Sequence, residues 1–201
     1  QIKEIVVDRI IYQDIPDVFN IREPNKVMGI VKLIASNPGM IINYETIARD
    51  FNTTRQTISN ILDYLEETFL IKRLYNFSKN FLVSERKLKK WYPCDHGIIN
   101  AYGRGVEKGK IIETVIVNYL NARFFWRTPQ KDEVDVIEEK LIPIEVKYKS
   151  SISKSDTKSL VKFCKKFGVK KGVMVTKDIK RAENVDGVKI EFIPIEEFLL
   201  K

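Results

Sequence analysis

Carboxylates and one lysine alternate with apolar residues on two neighbouring segments, and this pattern could support metal-dependent hydrolysis. In residues 133–137 the acidic side chains, among them Asp135, fall on one face and valines on the other. In residues 144–148, Glu145 and Lys147 share a face opposite an isoleucine, a valine and a tyrosine. Such period-two alternation predicts two strands of a half-buried sheet, joined by a short polar hairpin connection. Once paired, the strands bring the two carboxylates and the ammonium together, as a hard divalent cation and an attacking water require.

Further elements are predicted around these strands from hydrophobic periodicity. A mostly apolar helix contains one acidic residue, Glu113, which either faces solvent or lies buried among its neighbours. The complete predicted order is helix 110–120, strand 124–127, the two central strands, a lysine-rich amphipathic helix 155–167, strands 172–176 and 188–193, and a short helix 194–200.

The N-terminal half shows three helical patterns with a tight turn before the third. The predicted helices span 25–36, 44–51 and 55–69, and Asn43 is placed to cap the second. This order is typical of a helix-turn-helix, in which the polar face at the start of the third helix reads DNA. That face carries Arg55, Gln56, Ser59 and Asn60.

Two further predicted strands, 70–74 and 87–93, would form the wing of this motif. The lysines in this region that are predicted to contact phosphates are Lys79, Lys87, Lys89 and Lys90. Winged helices also serve as dimerisation or protein-docking modules, so the pattern leaves DNA contact and protein contact both open.

The glycine-rich stretch 94–109 lacks the spacing of a phosphate-binding loop. Five residues separate Gly103 from Gly109, where a P-loop has four, and Ile111 stands where Ser or Thr would bind magnesium. We interpret the stretch as a linker that ends in a helix N-terminus. His96, the single histidine, is interpreted as a turn residue within it and not as a catalytic base.

Three domains are expected. Residues 1–23 are a lead-in segment, with a helix or an irregular stretch running to Pro16 and then a loop to Pro24. Residues 24–93 form the winged helix-turn-helix, and residues 94–201 form a mixed-sheet domain. The expected class is therefore α+β or α/β.

Composition narrows the class of protein. Charged residues make up 31% and hydrophobic ones 44%, which favours a globular chain over a disordered one. The net charge of +8 favours a polyanionic partner such as nucleic acid, or simply a basic surface. Apolar runs are of strand length, so no membrane span is expected. Cys94 and Cys164 share no metal-ligand spacing, which favours a reducing cytoplasm, and the first residue, Gln1, favours a fragment of a longer chain.

Glu113 on a helix, Asp135 on a strand and Glu145-x-Lys147 on the next strand resemble the PD-(D/E)xK nuclease superfamily. That superfamily includes restriction endonucleases and archaeal Holliday-junction resolvases. Its core is a helix, three antiparallel strands, a helix and a strand, and the predicted order here is the same. Val134 stands where a proline often precedes the aspartate, a departure that many members share. The resemblance implies a restriction-endonuclease-like fold for the C-terminal domain.

A wider resemblance extends over nearly the whole chain. It is carried by Asp14–Pro16, Asn37–Gly39, Leu62–Glu66, Phe69–Ile71, Lys90–Tyr92, Asp95–Gly97, Phe125–Arg127, Glu133–Asp135 and Ile144–Lys147. These segments are similar to the C-terminal region of a family of archaeal and bacterial AAA-type ATPases, often described only as a domain of unknown function. In such proteins the nucleotide-binding module precedes this region. The sequence has no Walker A motif, so ATP would act only through a missing N-terminal module.

The nuclease resemblance implies a metal-dependent DNA phosphodiesterase. Asp135 and Glu145 would ligate Mg²⁺ or Mn²⁺, with the backbone carbonyl of Val146 as a further ligand, and Glu113 would complete the metal or water shell. Lys147 would orient the attacking water or neutralise charge in the transition state.

The alternative is a nuclease fold kept without turnover, which would hold DNA, a partner protein or a second protomer. The four polar residues would then form a surface salt-bridge cluster whose pairs contribute about 0–1 kcal/mol each. The expected partners are DNA, the ATPase module of the same chain and a homo-oligomer, with no membrane.

Overall fold

The structure, a computed structural model, describes residues 2–19, 21, 23–86, 88–138 and 140–200. These residues form ten α-helices and nine strands, so the chain is mixed α/β. The helices are α1 (Ile2–Arg9), α2 (Ile15–Phe19), α3 (Pro24–Ser36), α4 (Tyr44–Asp50), α5 (Arg55–Glu67), α6 (Phe81–Arg86), α7 (His96–Tyr102), α8 (Lys108–Tyr119), α9 (Lys158–Phe167) and α10 (Ile195–Leu199). The strands are β1 (Met40–Ile41), β2 (Ile71–Asn76), β3 (Lys89–Pro93), β4 (Phe124–Arg127), β5 (Glu133–Ile137), β6 (Pro143–Lys147), β7 (Lys171–Thr176), β8 (Arg181–Val185) and β9 (Val188–Pro194).

These elements belong to two compact units whose sequences interleave. The first unit comprises Gln1–Arg73 and Lys89–Thr114, and the second comprises Leu74–Leu88 and Val115–Lys201. The predicted boundaries after residues 23 and 93 do not coincide with this division. Helix α7 packs against α1 and α3, and for this reason the segment that follows β3 belongs to the first unit.

The lead-in segment is helical over Ile2–Phe19, through Pro16. A π-helical turn over Ile10–Asp14 precedes the proline, and the N–H of Ile15 bonds to the carbonyl five residues earlier. Proline has no N–H and crowds the preceding turn, so the wider π turn accommodates it where a regular α-helix would kink or break. Residues 17–19, expected in a loop, therefore belong to α2.

Three predicted helices in the first unit are confirmed as α3, α4 and α5. The side chain of Asn43 accepts the N–H of Thr46 at 3.0 Å, and that of Thr54 accepts the N–H of Thr57 at 3.1 Å. These caps satisfy N–H groups that the first turn of a helix leaves without a backbone partner. Strand β1 follows α3 and pairs antiparallel with β3, giving the strand order β1-β3-β2 in this unit. The apolar residues that α3 and α5 bury are Val27, Met28, Ile30, Val31, Ile34, Ala35, Ile58, Ile61, Leu62 and Leu65.

The second unit is built on a mixed sheet with strand order β2-β4-β5-β6-β7-β9-β8. Strand β4 pairs antiparallel with β5, and β5 pairs antiparallel with β6, which confirms the predicted hairpin. Strand β7 pairs parallel with β6, and β9 pairs parallel with β7. Helix α9 connects β6 to β7, packs against β5, β6 and β7, and buries Leu160, Phe163 and Cys164. The predicted strand–helix–strand crossover is therefore confirmed.

Sequence reasoning missed β8, two short helices and the two-residue strand β1. Strand β8 is mostly exposed and so lacks an apolar pattern, but the dipeptide Asp186-Gly187 after it is a strong hairpin signal. Both turn residues have positive φ, 51° and 82°, as a type I′ turn requires. Helix α7 lies in the predicted linker and begins where Asp95 accepts the N–H of Gly97, so His96 is helical and not a turn residue. The third element, α6, lies between β2 and β3.

Two expectations from composition can be compared with the fold. No helix in the part of the chain that the structure describes is both long and apolar enough to cross a membrane. Cys94 and Cys164 are free thiols. Burial raises the pKa of each to about 11, so neither is a reactive thiolate at neutral pH.

Candidate functional site

Asp135, Glu145 and Lys147 come together on the paired strands β5 and β6. Oδ2 of Asp135 accepts the backbone N–H of Val146 at 2.9 Å, and Nζ of Lys147 lies 2.7 Å from Oε1 of Glu145. Both carboxylates are buried, each 6% exposed, whereas the Lys147 side chain is 31% exposed. The structure therefore gathers two buried carboxylates and one accessible ammonium within the second unit.

The strand pairing explains how these side chains are held. Val136 pairs with Ile144 in the antiparallel ladder. One residue further, the side chain of Asp135 accepts the N–H of Val146, so the carboxylate itself bridges the two strands. A hydrogen bond from a buried N–H to a carboxylate is short and strong, and it fixes the orientation of the Asp135 carboxyl group.

The charge state of Lys147 follows from competing effects. Burial acts to lower the pKa of the Lys147 ammonium, but the neighbouring carboxylates of Glu145 and Asp135 outweigh it. The pKa therefore lies above its ordinary value of 10.5, and the lysine is protonated at neutral pH.

Asp156 is a further charged residue beside this cluster, and the sequence analysis did not identify it. The backbone N–H and Oγ of Ser153 bond to Oδ2 of Asp156 at 2.8 and 2.6 Å, which forms a capping box at the 3₁₀ turn before α9. These hydrogen bonds, together with the ammonium groups of Lys149 and Lys147, lower the pKa of Asp156. The spacing of Ser153 and Asp156 was the signal available in the sequence.

Glu113 belongs to the first unit and is 5% exposed, so the buried alternative holds. Oη of Tyr92 donates to its Oε1 at 2.7 Å, Nζ of Lys110 donates to its Oε2 at 2.6 Å, and Nζ of Lys90 lies 3.7 Å from Oε1. These three partners also belong to the first unit. Each oxygen of the carboxylate is thus engaged by a donor, which gives Glu113 a packing role between β3 and α8.

The predicted DNA-contacting residues of α5 lie at the start of that helix. Arg55 and Gln56 are exposed, and Ser59 is half-buried. Arg55 pairs with Glu45 at 3.4 Å, and Nε2 of Gln56 donates to Oδ1 of Asn60 at 2.8 Å. Both of these contacts are at the surface, where a ligand can displace them at little cost.

The predicted wing lysines differ in their exposure. Lys79 is exposed, Lys89 is half-buried, and Lys87 lies outside the described residues. Lys90 is only 2% exposed, with its ammonium 3.7 Å from the Glu113 carboxylate. An ammonium enclosed in this way does not reach a phosphate, so the expectation that Lys90 contacts DNA is corrected to a role in packing.

The donor set of the Asp135–Glu145 pair suits a hard cation. Among the described residues, no group of three or more His, Cys, Asp or Glu side chains is arranged to hold a metal ion. The pair supplies two carboxylates, and Mg²⁺ takes few carboxylates because it keeps several of its waters. The ammonium of Lys147 neutralises one of the two negative charges, and the remaining negative charge would attract a divalent cation.

Two family profiles match consecutive parts of the chain. The first is described as Domain of unknown function (DUF8612) and matches residues 2–108. The second is described as Domain of unknown function (DUF4143) and matches residues 108–198. The two matches meet at the first residue of α8.

The chain is also similar to the uncharacterized protein MJ1637 of Methanocaldococcus jannaschii. The identity is 26% over an alignment of 214 positions, which covers 97% of this chain and 43% of that protein. The chain therefore spans less than half the length of this relative. No solved structure matches the chain.

Proposed function

The chain belongs to the family described as Domain of unknown function (DUF8612), and we propose that it binds DNA and hydrolyses phosphodiester bonds with a divalent metal ion. One observation carries the proposal. Asp135, Glu145 and Lys147 form a single cluster on adjacent strands, with the carboxylates buried and the ammonium accessible. This arrangement has the donor types and charges that phosphodiester hydrolysis needs.

Each residue has a distinct role in this proposal. Asp135 and Glu145 would hold Mg²⁺ or Mn²⁺, and Asp135 is already oriented by the N–H of Val146. The bound ion would polarise the phosphate and lower the pKa of a bound water. Lys147, protonated at neutral pH, would donate hydrogen bonds to the phosphate oxygens as negative charge builds on them. The water oxygen would form a bond to phosphorus as the bond from phosphorus to the leaving sugar oxygen breaks, and one proton of that water would pass through solvent to the leaving oxygen.

Glu113 has a different role in this proposal from the one the sequence suggested. Its carboxylate is engaged by Tyr92 and Lys110 in the first unit, and removal of either donor would leave a buried charge with fewer hydrogen bonds. We therefore assign the metal to Asp135 and Glu145, and we assign Glu113 to the stability of the first unit.

The first unit would act as a winged helix. The order α3, β1, α4, α5, β2, β3 and the strand order β1-β3-β2 support this interpretation. Arg55 and Gln56, exposed at the start of α5, would then approach base edges or phosphates.

The nuclease-like unit would work within a longer AAA-type ATPase. The resemblance of the sequence to the C-terminal region of such ATPases supports this context. ATP would then act through a nucleotide-binding module, and its hydrolysis would control access of DNA to the site.

A second function is favoured by one contact. The ammonium of Lys147 lies 2.7 Å from Glu145, an ion pair that occupies part of the carboxylate needed for a metal. If this pair persists in solution, the unit would hold DNA, a protein or a second protomer without cleaving anything. Metal binding distinguishes the two functions, because only the first requires it.

A nicking assay tests the proposed hydrolysis. Supercoiled plasmid incubated with the protein and Mn²⁺ or Mg²⁺ should be converted to the open circular form. Asp135→Asn, Glu145→Gln and Lys147→Met should each reduce the rate by about 10²–10³, the loss typical when one stabilising group is removed. Nicking that persists at the wild-type rate in all three variants would assign the activity to a contaminant.

The matched control is Glu138→Gln. Glu138 is exposed and lies just beyond the end of β5. This variant removes one negative charge from the same region and should nick at the wild-type rate. A loss equal to that of Asp135→Asn would indicate a general charge effect and would contradict the assigned site.

A further inference from the structure

The positive charge of the chain is concentrated in one segment. The whole chain has 35 basic and 27 acidic residues, which gives its net charge of +8. The segment 147–171 contains nine lysines and one acidic residue, Asp156. The rest of the chain therefore carries 26 basic and 26 acidic residues and is neutral overall. The basic character that favours a polyanionic partner resides in the stretch that starts at the candidate site.

Several lysines of this segment are engaged by other groups. Carboxylates lie within 4 Å of Lys147, Lys162, Lys165 and Lys171. The ammonium of Lys166 lies 5.6 Å from the centre of the Trp126 ring, a cation–π contact. These five lysines are held to the protein and contribute less to binding an external anion.

Three other lysines of the segment are exposed and follow the candidate site closely in sequence. Lys149, Lys154 and Lys158 are exposed, and none of them has an ion pair with a carboxylate within the described ranges. Lys149 follows Lys147 by two residues, and both ammonium groups act on the carboxylate of Asp156.

Hydrogen bonds tie the start of α9 to the start of β5. Oγ of Ser159 accepts the N–H of Glu133 at 3.3 Å, and Nζ of Lys162 donates to Asp132 at 2.6 Å. Lys158, the first residue of α9, is thus placed beside the strand that carries Asp135. The capping box of Ser153 and Asp156 fixes the turn that carries Lys154.

We propose that Lys149, Lys154 and Lys158 form the surface that binds the phosphate backbone of DNA at the Asp135–Glu145–Lys147 site. This inference deepens the proposed function and rests on it for the identity of the site. Lys149 and Lys147 both act on Asp156, and Lys158 begins the helix that is hydrogen-bonded to the start of β5. The three ammonium groups neutralise phosphates on the strand next to the scissile bond, and they do so without reading sequence, because they contact the backbone.

Fluorescence anisotropy with a short labelled duplex tests this surface. The measurement is made in EDTA, so that no cleavage occurs, over a range of salt concentrations. The triple variant Lys149→Ala, Lys154→Ala and Lys158→Ala should bind more weakly than wild type. Its plot of log K against log salt should be shallower by about 0.9 for each phosphate that the variant no longer neutralises.

The matched control changes three other exposed lysines, Lys32, Lys140 and Lys170. It lowers the net charge by the same amount, and Lys170 lies beyond the opposite end of α9 from Lys158. Its salt slope should remain close to that of wild type. All six side chains are exposed, so both triple variants should keep the melting temperature of wild type.

The outcomes separate this surface from the hydrolysis itself. Equal losses of affinity in the two triple variants, or no loss in the first, would overturn the phosphate-binding surface even if plasmid nicking is observed. A loss confined to the first variant would support the surface, including in a protein that shows no nicking. In that case only the proposed hydrolysis would be wrong, and the phosphate-binding surface would stand.

Discussion

At the scale of single residues, the buried carboxylates of this chain differ in their hydrogen-bond and ion-pair partners. Glu145 faces one lysine that remains partly exposed to solvent, and Asp135 accepts a backbone N–H. Glu113 has donors on both of its oxygens and little exposure. The Lys147 side chain beside the first two is partly exposed, and for this reason the proposed reaction is assigned to them. The third is held in place, which suits a structural role.

Glu191 on β9 belongs to an ion-pair network outside the candidate site, and the contribution of this network to stability can be tested at this one residue. Its two oxygens accept hydrogen bonds from Lys171 at 2.8 Å and Lys189 at 2.9 Å, and these bonds lower its pKa from 4.5 to about 2. The depressed pKa means that the stabilisation is present above pH 4.5 and is lost as the pH falls through about 2.

We expect Glu191→Gln to lower the free energy of unfolding by about 1 kcal/mol at neutral pH, the scale of a partly exposed ion pair. The difference from wild type should shrink as the pH falls from 4.5 towards 2. Urea unfolding at a series of pH values measures this difference. The control is Glu183→Gln on β8, which removes the more exposed ion pair with Arg181. A difference that does not change with pH would show that the stabilisation is not ionic.

At the scale of elements, the turn between α3 and β1 joins the helical and strand parts of the first unit. Gly39 in this turn has φ of 80°, and its N–H donates to the carbonyl of Trp91 at 2.8 Å. A Cβ at this position would lie 2.9 Å from Oη of Tyr92 and 3.1 Å from Oε1 of Glu113. The turn is therefore confined both by its backbone conformation and by the side chains next to it.

Gly39→Ala should destabilise the protein more than Gly187→Ala. Gly187 has a similar φ of 82°, but no atom lies within 4 Å of the position its Cβ would take. The change at Gly187 should therefore cost about 1 kcal/mol for the left-handed conformation alone. The change at Gly39 should cost about 1–3 kcal/mol more, because the methyl group overpacks the Tyr92–Glu113 contact. Equal losses of stability in thermal or urea unfolding would contradict the packing described for this cluster.

Most elements could be predicted from the sequence because the apolar residues that recur at helix or strand spacing are the ones that the fold buries. Helices α3 to α5, the β5–β6 hairpin and the α9 crossover all show this spacing. Strand β8 has no apolar stripe because most of its side chains face solvent, so only the dipeptide Asp186-Gly187 could have indicated it. The continuation of the helix past Pro16 was not predicted, because a π turn, which has no simple sequence pattern, accommodates the proline.

The candidate site was predicted in part for a related reason. Asp135, Glu145 and Lys147 are close along two adjacent strands, so the strand period was enough to bring them together. Lys90 was misplaced because its sequence neighbours are basic, whereas its burial depends on Glu113, which lies far along the chain. Contacts of this kind cannot be obtained from local patterns.

At the scale of the whole molecule, two family matches divide the chain near residue 108, whereas the compact units exchange segments in sequence. Strand β2 and helix α8 each contribute residues to both units. The boundary between the two family matches therefore does not coincide with the boundaries between the two compact units. A cut at residue 108 would separate α8 from residues of the first unit that pack on it, including Tyr92.

Calorimetric titration with Mn²⁺ tests the central claim most directly, since hydrolysis as proposed requires a metal ion at Asp135 and Glu145. The wild-type chain should bind Mn²⁺ in the millimolar range or tighter. Asp135→Asn and Glu145→Gln should abolish the binding heat, and Lys147→Met should retain it, because an ammonium is not a metal ligand. Melting temperatures in EDTA confirm that each variant is folded. No heat from the wild-type chain at millimolar Mn²⁺, or undiminished heat from both carboxylate variants, would contradict the assignment of a metal-dependent site.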